Sequence, residues 1–418
     1  MAACGSLAFT LAMRKLFYGW LITAAAFFTF GLSTGVPYYN VGFFYDYFER
    51  TFGWSRSQIT LGFPLAALLT IWAGPLIVPK FSPRKLILVG LTLTTIALAG
   101  FSRMGGSLPL YYTLWVVYTV GYIAAGPIPH QIIVSHWFRK KRGTAMGIVY
   151  VGVGLLGSVG SLMVKPLTAS LGFRNALLCL AVMLFAAWPV VLFVLRDRPV
   201  DMGLFPDGDA APPAEAALEP ASFGKLFKSY AFWLLLVGSF CSIGSIGAVN
   251  FHMKFVFLDQ GFRAGDQLDS TWRTASVLIL WSSIIGRLSI GFLADKFSKK
   301  YVMLTTYFIV AATIPLLRGA HPPGQPYAFA VLFGLAMGAD YMLIPLMAAE
   351  EFGVNTLGRA MAVILPVNTI GQTWFPYFVS VVRDRSPNYT LAMGLVFTVA
   401  IAGALAIALL PRKTALVE

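Results

Sequence analysis

The chain is 418 residues long, 58% hydrophobic and 15% aromatic, with only 11% of its residues charged and a formal net charge of +14. Soluble domains carry about 25% charged residues, and a soluble chain of this length could not cover its surface with less than half that share. The mean hydropathy of +0.75 points the same way, so disorder, coiled coil and a secreted disulfide scaffold are excluded and a polytopic membrane protein remains.

Apolar stretches long enough to cross a bilayer are read in chain order at about 17–44, 57–79, 86–103, 108–135, 143–165 and 175–195. A polar break from Arg196 to Lys228, rich in Pro, Ala, Asp and Glu, reads as a linker. Six more stretches follow at about 229–256, 270–292, 301–318, 326–348, 359–381 and 389–410. The expected fold is all-α: twelve transmembrane helices in two pseudo-symmetric six-helix bundles. The N-terminal bundle is expected over 1–195, a cytoplasmic linker over 196–228 and the C-terminal bundle over 229–418. The first stretch is too long for a cleaved signal peptide.

Loop charge sets the expected orientation. With the N-terminus inside, nineteen of the 31 basic residues fall on the cytoplasmic side and eleven on the other, and the dense runs such as Arg139-Lys140-Lys141-Arg142 are all inside. Both termini are therefore expected in the cytoplasm, with the chain in the plasma membrane. An internal repeat accompanies the two halves. Lys80-Phe81-Ser82 matches Lys296-Phe297-Ser298, and Gly143-Thr-Ala-Met146 matches Gly358-Arg-Ala-Met361, at offsets of 216 and 215, as a duplicated six-helix unit requires.

Metal and nucleotide chemistry find little footing. Cys4, Cys179 and Cys241 form no ligand spacing, and His130, His136, His252 and His321 form no paired-histidine motif. Gly152-Val-Gly154-Leu-Leu-Gly157 satisfies GxGxxG but lies inside an apolar helix, where glycines serve close helix packing rather than a dinucleotide. No cofactor is expected. The basic balance belongs to membrane loops, so no nucleic acid is expected either.

Gly291-Phe-Leu-Ala-Asp295-Lys-Phe-Ser-Lys-Lys300 closely resembles the loop signature of the major facilitator superfamily. In the first half Pro79 stands where Asp295 stands. A narrower resemblance, to the monocarboxylate transporter and oxalate:formate antiporter branches, rests on several further motifs. These are Phe52-Gly-Trp-Ser-Arg-Ser57, Trp137-Phe-Arg-Lys-Lys-Arg-Gly-Thr-Ala-Met-Gly147, Gly172-Phe-Arg174, Arg198-Pro199, Gly203-Leu-Phe-Pro-Asp-Gly208 and Gly286-Arg287. The resemblance implies the major facilitator fold and transport by alternating access. It also implies a conformational gate at Gly291, Asp295 and Lys296.

Arg287 is the leading site residue. An arginine inside a membrane helix costs ~2.5–3.5 kcal/mol on insertion scales, which marks it as functional by default. It lies eight residues before Asp295, or ~12 Å from the cytoplasmic end. Its guanidinium can hold a carboxylate through two parallel hydrogen bonds, and the resembled branches associate this place with anion binding. Asp340 lies at similar depth and is the expected counter-charge and proton carrier, with His130 and His252 as further proton-coupling candidates. The acidic residue usual in the family one turn before the arginine is absent: Ser283 is there. Asn368, Gln372, Tyr38, Tyr39 and Tyr150 complete the expected substrate contacts. The oxalate exchanger's lysine in helix 11 is missing, and a single cation favours a monoanion.

These readings add up to a non-enzymatic secondary transporter of a small organic monocarboxylate, coupled to protons. An organic-anion exchanger, an exporter of amphiphilic compounds and a non-transporting membrane sensor are the alternatives. The expected partners are a small carboxylate, protons and the bilayer, with the chain working as a monomer.

Overall fold

A computed structural model describes residues 17–210, 219–262, 266–319 and 324–411, together with most of their side chains. The helices are α1 (Tyr18–Phe52), α2 (Gln58–Leu69 and Ala73–Lys80), α3 (Pro83–Arg103), α4 (Leu108–Trp137), α5 (142–171), α6 (173–193), α7 (Tyr230–Asp259), α8 (Asp266–Lys296), α9 (Lys299–Arg318), α10 (Gln325–Phe352), α11 (Val354–Asp384) and α12 (Thr390–Ala408). No strand occurs among the described residues. Nine helices there are long and apolar enough to cross a membrane, or ten with the bent α2 pair taken as one span. One of them, Arg142–Phe193, is 52 residues long and breaks at Gly172, whose φ of 76° and ψ of 161° leave the helical region. It therefore supplies two spans, α5 and α6. The twelfth is α11, whose polar Asn368 and Gln372 lower its hydropathy and which packs along α7.

Proline and glycine punctuate these helices where the sequence puts them. α4 kinks at Gly126 before Pro127 and Pro129. α2 bends by 44° across Thr70-Ile71-Trp72. α1 passes its expected end and continues to Phe52 as an amphipathic turn. There Phe48 is buried among Phe101, Tyr111 and Phe173, and Asp46, Glu49 and Arg50 lie in the same turn. Left-handed Gly53 closes it.

The helices form two six-helix bundles. Small residues bring the helix backbones together where apolar attraction between helices is weak. A Cβ on Gly238 would sit 3.2 Å from the Gly403 carbonyl, and one on Gly121 would sit 3.0 Å from the Gly90 carbonyl. The end of α6 meets the start of α1 where Tyr18 donates to Val194 O at 2.9 Å, and meets the end of α4 where Trp137 Nε1 donates to Arg196 O at 3.0 Å. This is the end from which residues 196–210 leave, called the linker end below.

The apolar core is shared unequally. One cluster runs from the N-terminal bundle into the linker-end parts of α10 and α11, taking in Met342, Leu346 and Met361. The far end of the C-terminal bundle keeps a core of its own around Val249, Phe257, Phe329 and Met393. The bundles are therefore knit together near the linker end.

Candidate substrate site and inter-bundle gate

Residues 143, 147, 150 and 154 recur at helical spacing on one face of α5, and this face meets α8. The backbones touch at Gly143 and Gly291, and the Arg287 carbonyl packs on Gly147. Two turns further along, Arg287 Nη1 lies 3.1 Å from where a Cβ of Gly154 would be. The guanidinium thus reaches from the C-terminal bundle onto α5 of the other bundle. On its own helix Nη1 stands 3.5 Å from Ser283 Oγ, so the serine in the family's acidic place serves as a neutral neighbour.

Tyr150 lies within electrostatic reach of Arg287. Its hydroxyl accepts from Gln131 Nε2, and Gln131 Oε1 is buried with no hydrogen-bond partner. Phe30 sets its edge against Tyr150 at 5.2 Å and stacks on His130 at 4.9 Å. From the C-terminal side Tyr341 donates to Gln372 Oε1 at 2.6 Å, and Tyr38, Tyr122 and Tyr150 are all within its electrostatic reach. Tyrosines of α1, α4 and α5 thus share the neighbourhood of Tyr341 of α10. Tyr38 is 39% exposed and lies 6.2 Å from the Phe63 ring. The side chain of Tyr39 lies outside the described residues.

Gln131, Tyr122 and Tyr341 were not singled out from the sequence. Tyr341 had a signal: it follows Asp340, and one residue turns a helix by about 100°, so only one of the two can face the bundle interface. Asp340 is fully buried within its own bundle. Its Oδ2 accepts from Ser242 Oγ at 2.6 Å, and Tyr307 of α9 is its other close polar neighbour. Asp340 Oδ1 and Tyr307 Oη are both buried without a hydrogen-bond partner. Equal depth therefore does not bring the carboxylate to the Arg287 side of α10.

His130 is buried, with Nδ1 2.8 Å from Gly126 O and Nε2 2.9 Å from Thr29 Oγ1. A carbonyl only accepts, so Nδ1 carries hydrogen. Thr29 has one hydroxyl proton, and Ala25 O lies 2.9 Å from the same oxygen. A doubly protonated ring satisfies all three bonds, whereas a neutral ring makes Thr29 choose between Ala25 and His130. His252 instead ties α7 to α11 and to the start of α12, through Pro376 O at 2.9 Å and Tyr389 Oη at 3.1 Å. The sequence put Asn368 and Gln372 on one face, but their partners differ. Asn368 is fully buried and accepts from Ser239 Oγ of α7 at 3.1 Å, while Gln372 meets Tyr341.

The contact between Asp295 of α8 and the entry to α5 is built largely from backbone donors. Asp295 Oδ1 accepts from Gly143 N at 2.6 Å, and Oδ2 accepts from Thr144 N at 2.8 Å and Thr144 Oγ1 at 2.7 Å. The first N–H groups of a helix have no intrahelical acceptor and sit at its positive dipole end, so a carboxylate from the opposite bundle is well matched there. Gly143 and Gly291 allow the approach because neither has a side chain. Lys296 Nζ lies 4.3 Å above the Phe292 ring. The GxGxxG glycines also find their use: Gly152 lies on Phe27 O of α1, Gly154 faces Arg287, and Gly157 O accepts from Asn40 Nδ2 at 3.2 Å. Among the described residues no three His, Cys, Asp or Glu side chains converge as a metal site.

A family model described as Major Facilitator Superfamily matches residues 19–376. The MFS transporter asaE of Aspergillus flavus is 26% identical over 385 residues, covering 89% of this chain and 81% of that protein. Monocarboxylate transporter 10 of Homo sapiens is 23% identical over 400 residues, covering 90% of this chain and 75% of that protein. Among solved structures, that of FucP, a Major Facilitator Superfamily transporter in the outward conformation, superposes with a TM-score of 0.67 at 12% identity, covering 94% of this chain and 99% of that one.

Proposed function

The chain belongs to the Major Facilitator Superfamily, and from that premise we propose that it carries a small organic monocarboxylate across the plasma membrane together with a proton, by alternating exposure of a site between the bundles. The observation that carries this reading is the Arg287 guanidinium lying against Gly154 of the opposite bundle beside Tyr150. A fixed positive charge at that point matches one carboxylate, and its planar fork gives the direction of approach. The Tyr341–Gln372 pair and the tyrosines around it suit the remainder of a small, partly polar acid. The relative named Monocarboxylate transporter 10 supports the same substrate class.

The linker end is cytoplasmic in this reading, because the dense basic runs lie there, and the bundles divide at 196–228. Proton coupling falls to Asp340, buried with one oxygen unpartnered, and to His130, whose hydrogen bonds are complete when the ring is doubly protonated. The separation of Asp340 from Arg287 favours a second reading, exchange of one organic anion for another without proton movement.

Uptake into proteoliposomes with a panel of carboxylic acids tests both. Arg287→Ala is expected to weaken binding at least ~10-fold, since hydrogen bonds to charged groups are worth ~1.5–3 kcal/mol, and Arg287→Lys to recover only part of it. Asp340→Asn is expected to keep exchange and lose accumulation driven by a proton gradient. Unchanged affinity in Arg287→Ala removes the anion site. Full gradient-driven uptake in Asp340→Asn, with the same result for His130→Gln, leaves exchange as the better reading.

A further inference from the structure

Asp207 is the one non-glycine residue with a left-handed backbone among the described residues, at φ 58°. A side-chain-bearing residue is disfavoured there, so such a position is held by what surrounds it. What surrounds Asp207 is the turn leading into α5. Its Oδ2 accepts from Arg139 N at 2.8 Å and Lys140 N at 2.7 Å, and Oδ1 lies 3.4 Å from Lys141 N. Lys140 Nζ pairs with Asp209 at 2.7 Å, and Arg142 Nε returns to Phe138 O at 2.9 Å. Two residues beyond Lys141 the donors change hands, and Gly143 N and Thr144 N turn to Asp295 of the opposite bundle.

Five of the six residues from 139 to 144 are thus gripped by two carboxylates, Asp207 on Arg139, Lys140 and Lys141 and Asp295 on Gly143 and Thr144. Asp207 lies in the linker, on the stretch that leaves α6 and bonds back to the entry of α5, so it stays with α5. Asp295 belongs to the other half and departs when the bundles part at the linker end. We propose that Asp207 is a positioning residue for the gate: by holding the N–H groups of Arg139 and Lys140, it keeps the entry to α5 in the shape that presents Gly143 and Thr144 to Asp295. Without it the turn loses its acceptor, and closing the gate then includes ordering that turn. The effect is modest because the Asp207 bonds are solvent-exposed. The proposal rests on Asp295 acting as the gate and not on the identity of the substrate.

The test uses the full chain in lipid nanodiscs, with Cys4, Cys179 and Cys241 replaced by serine and spin labels at Lys85→Cys and Lys228→Cys. These two exposed sites lie at the start of α3 in the N-terminal bundle and at the last linker residue before α7 of the C-terminal bundle, and pulsed electron paramagnetic resonance reads the ratio of long to short separations. Asp207→Ala is expected to raise that ratio about fivefold, the lower end of coupling between two sites. Asp295→Ala is expected to raise it at least as much. The double variant is expected to match Asp295→Ala alone, because Asp207 acts through Asp295. Asp209→Ala, which removes only the Lys140 ion pair, is expected to leave the ratio unchanged. A wild-type ratio in Asp207→Ala beside a shifted Asp295→Ala overturns the positioning role alone, as does full additivity in the double variant. No shift from Asp295→Ala overturns the gate and the positioning role together. Asp207→Asn keeps one acceptor oxygen and is expected to fall between wild type and Asp207→Ala. Should the alanine variant not fold, a wild-type ratio in Asp207→Asn overturns the positioning role in its place.

Discussion

Gly143 and Gly358 open equivalent helices 215 residues apart, yet different chemistry meets them. The entry to α5 receives the Asp295 carboxylate from α8, with three donors directed at it. The entry to α11 faces Pro79, where the repeat would put a carboxylate, and the contact there is apolar. A Cβ on Gly358 would lie 3.0 Å from Ile132 and 3.6 Å from Val78, and Gly74 of α2 packs on the Ala362 carbonyl. The polar groups at the start of α11 turn to their own side: Arg359 donates to Pro220 O and Ala221 O, both at 2.8 Å, and Thr356 Oγ1 accepts from Ala221 N at 3.0 Å. One copy of the repeat is a charged clamp, and the other is a packed seam. The clamp depends on one carboxylate, so single-residue changes act unequally on the two sides.

The clamp should be the more breakable. Asp295→Asn loses the charge matched to the α5 N-terminus and one of its acceptor oxygens. It is expected to shift the molecule toward linker-end opening by ~10-fold, given ~1.5–3 kcal/mol for hydrogen bonds to a charged group. Labelling of a cysteine buried by the closed gate measures this, and unchanged labelling would put the closing energy in the packed seam instead.

A smaller effect is expected about three turns along the same face of α5. Gly154→Ala sets a methyl 3.1 Å from Arg287 Nη1, so the guanidinium has to give by a few tenths of an ångström. A ~3-fold loss of affinity with unchanged linker-end labelling is expected, since a bidentate contact is sensitive to direction. A labelling change without an affinity change would make Gly154 part of the clamp rather than of the site.

The smallest effect is expected in the seam. Pro79→Ala removes no hydrogen bond across the bundles and sits at the exposed end of α2, where surface changes stay within ~0.5 kcal/mol. Labelling within twofold of the parent is expected. A shift as large as that of Asp295→Asn would mean that the two copies share the load, and would end the contrast between clamp and seam.

Much of this was legible in the residues. Twelve apolar stretches, the polar break and the offsets of the repeat gave the helices and the two bundles, because lipid demands long, internally hydrogen-bonded helices whatever surrounds them. Pro79 in the place of Asp295 already set the two helix entries apart, one with a carboxylate to offer and one without. The partners of Asp295 were not legible: backbone N–H groups carry no sequence signal, and Gly143 and Thr144 lie about 150 residues away from it in the chain. Nor were the partners of Asp207: Pro206-Asp207-Gly208 signals a turn, but which backbone donors its carboxylate meets is decided only in the folded chain.

The sequence by itself determined that the chain crosses the membrane repeatedly and that it is built as two related halves. These follow from composition and periodicity, which act residue by residue. Only the tertiary structure decided how the buried polar groups were shared out. Asp340 turned to Ser242 and Tyr307 inside its own bundle, and Tyr341, one position on, took the place facing the other half. Depth along a helix is linear in sequence and can be counted, but azimuth depends on which neighbours pack against which face. Those neighbours are fixed only when all the helices have come together.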